Sequence, residues 1–79
     1  MRRKVRSYAE VLARLLEESG LSAYRLSKHA GLSHAVLSYM LKGERQPTAE
    51  TLERILRAAG QTWAWLDANL AAVEMPREE

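Results

Sequence analysis

Apolar residues recur three and four apart along this chain, in short runs that each open behind a serine or threonine. The first stripe is Tyr8, Val11, Leu12, Leu15 and Leu16. It predicts a helix over residues 8–19, with Ser7 as N-cap, Glu10 as the returning half of a capping box and Gly20 as the stop. Glu10, Arg14, Glu17 and Glu18 fall outside the stripe and are expected to face water. Leu21, Leu26 and Ala30 mark a shorter helix over residues 23–29 behind Ser22. Leu37, Met40 and Leu41 mark a third over residues 34–42 behind Ser33, halted by Gly43. Past the polar loop Glu44-Arg45-Gln46-Pro47, Thr48 opens a fourth helix over residues 49–59, with Leu52, Ile55, Leu56 and Ala59 inward and Gly60 behind it. Thr62 opens a fifth that carries Trp63, Trp65, Leu66 and Leu70. No stretch calls for a strand. The pattern predicts an all-α domain of five helices with Leu12, Leu15, Leu16, Leu26, Leu37, Leu41, Leu52, Ile55, Leu56 and Trp65 in one core, and with Leu16 touching Leu41.

The second and third helices are too short to stand alone, so packing must hold them. They join through Ala30-Gly31-Leu32-Ser33, where glycine supplies the backbone freedom for a sharp turn. Two helices so joined cross steeply, in the layout of a DNA-reading helix-turn-helix. The third helix then keeps an outward face of His34, Ala35, Ser38 and Tyr39, with Lys42 at its far end. Residues 1–6 read as a basic arm, residues 7–73 as the folded domain and residues 74–79 as a frayed tail.

Composition adds bounds to this picture. A chain of 79 residues, 47% hydrophobic and 28% charged, is expected to fold as one small domain with one core. The absence of cysteine excludes disulfide frameworks and thiolate chemistry. No apolar run is long enough to span a membrane.

The net charge of +2 is unevenly spread. Arg2, Arg3, Lys4 and Arg6 crowd the start, and Arg25, Lys28, Lys42 and Arg45 face only Glu44 between residues 21 and 47. Beyond residue 47, Glu50, Glu53, Asp67, Glu74, Glu78 and Glu79 outnumber Arg54, Arg57 and Arg77. A polyanion would be attracted to the first part and repelled by the last.

Leu21-Ser22, Leu26-Ser27, Gly31-Leu32-Ser33, Leu37-Ser38, Gly43, Pro47-Thr48, Leu52 and Trp65-Leu66 stand in a joint spacing that resembles the phage-repressor and Cro-like helix-turn-helix family, also called the xenobiotic-response-element type. The resemblance runs from Val11 to Leu66. It implies a sequence-specific DNA-binding transcriptional regulator, a repressor acting as a homodimer on a pseudo-palindromic operator in double-stranded DNA, and a cytoplasmic protein of bacterial or phage origin.

In such folds the third helix enters the major groove while the second crosses the phosphates. His34, Ala35, Ser38 and Tyr39 are therefore the expected base readers. Ser22, Arg25, Ser33, Lys42 and Arg45 are the expected phosphate contacts, and the arm Arg2, Arg3, Lys4, Arg6 is expected to reach around the duplex or into a minor groove. None of the base readers is a bidentate arginine or glutamine, so readout is expected to lean on shape, methyl contacts and phosphate clamps. Trp63, Leu70 and Val73 are the expected dimer contacts, because an aromatic two residues from Trp65 points elsewhere than the core.

Two positions depart from the family. Ala23 stands where a phosphate-binding glutamine is common, and Leu16 and Leu41 stand where an arginine and a glutamate commonly pair. The second departure reads as an ion pair exchanged for apolar packing.

Neither catalysis, a metal site nor a cofactor is expected. His29 and His34 are the only histidines, and no carboxylate cluster, glycine-rich phosphate loop or nucleophile-base pattern accompanies them. The alternative from another class is an antitoxin-like or adaptor module whose main partner is a protein such as a toxin. Salt-dependent binding to a palindrome separates the two.

Overall fold

Each helix begins where a hydroxyl holds its first turn. In the computed structural model, which describes residues 4–71, the helices are α1 (Tyr8–Ser19), α2 (Ala23–Ala30), α3 (His34–Leu41), α4 (Ala49–Ala58) and α5 (Trp63–Asn69). The side chains of Ser7, Ser22, Ser33, Thr48 and Thr62 accept from the backbone N–H groups of Glu10, Arg25, Val36, Thr51 and Trp65 respectively. A cap of this kind contributes about 1 kcal/mol. At Ser7 the geometry differs from the expected box: its hydroxyl accepts from the Glu10 N–H and donates to the Glu10 carboxylate, both at 3.1 Å.

Helix ends differ slightly from expectation. α2 runs one residue further, to Ala30, while α3 and α4 stop one residue sooner, leaving Lys42 and Ala59 as C-caps. The turn between α2 and α3 has a definite construction. Gly31 takes φ +73°, the Gly31 N–H donates to the Lys28 carbonyl at 3.2 Å, and the Leu32 N–H donates to the Ser27 carbonyl at 2.9 Å. These are the paired bonds of a Schellman motif, and they set the direction in which α3 departs.

The core is made by Val11, Leu12, Leu15, Leu26, Ala30, Leu37, Met40, Leu52, Ile55, Leu56 and Leu66. α2 packs on both α3 and α4, and α1 packs on α3. Three residues expected in the core are only half-buried against its rim: Leu16, Leu41 and Trp65. For Trp65 the reason is its indole N–H, which needs an acceptor and finds the exposed Glu18 carboxylate at 3.0 Å, so the ring lies near the surface. Val11, Met40 and Leu66 occupy the interior instead.

The join between α5 and α1 is polar. Arg14, expected to face water, is half-buried, and its Nη1 donates to Asn69 Oδ1 at 3.2 Å. The Asn69 amide in turn donates to the Trp65 carbonyl at 2.8 Å.

Leu70, expected to continue the fifth helix, does not, and here the structure corrects the sequence reading. It is extended (φ −112°, ψ 119°) and forms a parallel bridge with Val5. The Val5 N–H donates to the Asn69 carbonyl at 2.8 Å, and the Ala71 N–H donates to the Val5 carbonyl at 2.7 Å. Backbone groups that would extend the helix are thus taken by the start of the chain. Val73 and the tail lie outside the described residues, as do Arg2 and Arg3.

Candidate nucleic-acid interface

Ser22 and Ser33 each place the first turn of a helix, α2 and α3, so that the leading amides are not used inside the helix. Ser22 Oγ accepts from the Arg25 N–H and Ser33 Oγ from the Val36 N–H, both at 3.1 Å. Each hydroxyl keeps its own proton to donate. The amides of the first two residues of each helix, Ala23 and Tyr24 in α2 and His34 and Ala35 in α3, point along the helix axis toward its N-terminus, where an anion is favoured.

On α3 the burial pattern separates two faces. Leu37 and Met40 are buried, whereas His34, Ala35 and Tyr39 are exposed and Ser38 is half-buried. Lys42 is exposed at the end of the helix, followed by exposed Glu44 and Arg45. The loop itself is anchored at Pro47, which is buried, and at Gly43, whose N–H donates to the Met40 carbonyl at 3.1 Å. Gly43 has φ +80° and comes close to Ala9 of α1, so the loop leaves α3 beside the first turn of α1.

One element of this surface escapes a reading of the sequence. Tyr24, on the first turn of α2, is 55% exposed, the most exposed of the large hydrophobic side chains among the described residues. Its ring meets the His34 imidazole in a T-shaped contact, with centroids 6.0 Å apart and planes at 65°, and Lys28 Nζ lies 5.0 Å from its centre. The signal available in the sequence is the spacing of Tyr24 and Lys28, one helical turn apart on an otherwise polar face. Arg25 is exposed beside them.

The remaining candidates sit elsewhere. Lys4 and Arg6 are exposed on either side of the pinned Val5. Trp63, at the first position of α5, is 44% exposed, and Leu70 is half-buried. Among the described residues, no three histidine or carboxylate side chains converge on a metal-binding position, and no helix is long and apolar enough to cross a membrane.

The sequence profile of the family described as Helix-turn-helix matches residues 12–66, from α1 into α5. The chain belongs to the Cro/C1-type helix-turn-helix family. It is a DNA-binding regulator. No curated protein matches it in sequence. Among solved structures, a mutant of the restriction-modification controller protein C.Esp1396I superposes with a TM-score of 0.71 at 19% identity, covering 75% of this chain and 77% of that one. At that identity the likeness speaks to the fold alone.

Proposed function

We propose that this helix-turn-helix protein acts as a homodimeric repressor on a pseudo-palindromic operator, with α3 in the major groove. The observation that carries the reading is the outward face of α3, where His34, Ala35 and Tyr39 stand exposed between two serine-capped helix starts and the basic residues Lys42 and Arg45. His34 donates to a base acceptor, Ala35 meets a thymine methyl, and Ser38 and Tyr39 approach neighbouring edges. Ser22 and Ser33, with the free amides behind them, seat phosphate oxygens, while Arg25, Lys42 and Arg45 neutralise adjacent phosphates. The protein works by binding, without catalysis, in the cytoplasm of a bacterium or as a phage product.

A single short helix lacking bidentate readers distinguishes few base pairs. Two copies are therefore required, with half-sites about 34 Å apart. The pairing surface is centred on Trp63, whose large exposed ring is of the kind enriched at protein contacts. Leu70 adds to it from the bridge, and Val73 follows in the chain.

Selection of bound sequences from a random duplex library, followed by sedimentation with the selected site, tests the reading. A two-fold symmetric site occupied by two chains is expected. Trp63→Ala should weaken dimerisation and operator binding together while the chain remains folded. A parent that stays monomeric on its preferred DNA would instead favour the exposed Trp63 as the seat of a different protein partner, such as a toxin.

A further inference from the structure

The contact between Tyr24 and His34 joins the two helices of the motif at their first turns, through side chains that are both exposed. Burial does not explain it. A tyrosine ring more than half open to water adds little to the core, so its position is of interest for what it touches. His34 is the first residue of α3, the end of a recognition helix that meets base edges.

An imidazole on that turn rotates about two side-chain bonds, and each rotamer aims its ring nitrogens at a different edge. A T-shaped contact with a neighbouring ring favours one of these orientations, since the positive edge of one ring seeks the negative face of the other. Lys28, one turn along α2, brings an ammonium 5.0 Å from the tyrosine centroid, which steadies the tyrosine in turn.

We propose that Tyr24 is a specificity-determining positioning residue: it holds the His34 imidazole in the orientation that reads its base pair, so that α2 helps choose the sequence recognised by α3. This rests on the reading of His34 as a base contact. The ordering is present before DNA arrives, so less side-chain freedom is lost on binding.

The test compares Tyr24→Ala, Tyr24→Phe, His34→Ala and the double Tyr24→Ala/His34→Ala with the parent, by sequence selection from a random duplex library and by titration of the parent's best site and its single base-pair variants. Melting curves of each variant establish that it is folded. Tyr24→Ala and His34→Ala are expected to relax preference at the same base pair, each by roughly three- to tenfold, the range of one aromatic contact or one modest base contact. The double variant should relax it no further than either alone. Tyr24→Phe keeps the ring and should keep the preference.

Several results would overturn the assignment. If His34→Ala shifts preference and Tyr24→Ala does not, Tyr24 does not position the imidazole. Equal loss in Tyr24→Ala and Tyr24→Phe would make the hydroxyl a direct contact. Losses at different base pairs, or additive losses in the double variant, would make the two residues independent readers. A preference untouched by His34→Ala removes the histidine reading itself, and a parent that selects no sequence at all removes the proposed function; both results differ visibly from failure of the Tyr24 inference alone.

Discussion

Tyr39 and Arg45 lie near one another in the chain, and they are expected to change DNA binding in different ways. Tyr39 is exposed on the outward face of α3 and Arg45 is exposed in the loop beyond it; in the proposed binding mode the first meets bases, which differ from site to site, and the second meets phosphates, which do not. Arg45→Ala should therefore weaken binding to all duplexes by a similar factor and lower the salt slope by about one. Tyr39→Ala should alter the ranking of sequences, by about 1 kcal/mol at the affected base pair. Parallel titrations on a panel of duplexes check both, and a reordered panel for Arg45→Ala would reverse the two roles. Much at this scale is legible in the sequence, because caps and stops are local. All five capping hydroxyls are where the spacing puts them. The pairs Tyr24–His34, Arg14–Asn69 and Glu18–Trp65 are not legible in this way, since each depends on how two helices cross.

At the scale of elements, the seam between α1 and α3 is where apolar patterning overstates burial. Leu16 and Leu41 repeat with the stripes of their helices, yet both rest on the rim of the core with part of each side chain in water. A fully interior Leu41→Glu would strand a carboxylate and cost several kcal/mol. At a half-exposed rim the carboxylate reaches solvent, and the loss should be about 1–2 kcal/mol, mostly of apolar packing. Adding Leu16→Arg should recover part of it, up to about 1 kcal/mol, by supplying a partner from α1. Urea denaturation of the two single variants and the double gives the coupling directly. A Leu41→Glu chain that no longer folds would place Leu41 in the interior after all. Periodicity identifies which side of a helix turns inward, but how deep the edge of that side lies is settled by the neighbouring helix.

For the whole molecule, the distribution of charge and the path of the chain ends matter together. The basic start reads in the sequence as an arm separate from the domain, yet Val5, in its midst, is hydrogen-bonded to Asn69 and Ala71. Removing residues 1–6 would thus break a tertiary interaction as well as remove cations. The clean experiment is replacement of Arg2, Arg3, Lys4 and Arg6 by glutamine with Val5 retained. If the arm neutralises phosphates, affinity should fall and the logarithmic salt slope should shrink by about 0.9 for each phosphate no longer neutralised. An unchanged slope would show the arm to be idle.

The bridge between Val5 and Leu70 also bears on the order in which the protein opens. It closes nearly the full length of the described chain with two hydrogen bonds, whereas α1 to α4 are held by packing among buried leucines. Pairings so distant in sequence close late and, when they bury little, release first. The amides of Val5 and Ala71 should accordingly exchange with deuterium through a local opening, well before those of Leu15, Leu26 or Leu37, which await global unfolding. Exchange followed by NMR at increasing urea would show the first pair insensitive to denaturant and the second group sensitive. The two segments joined at Val5 and Leu70 would then part and rejoin many times in the lifetime of a single folded core.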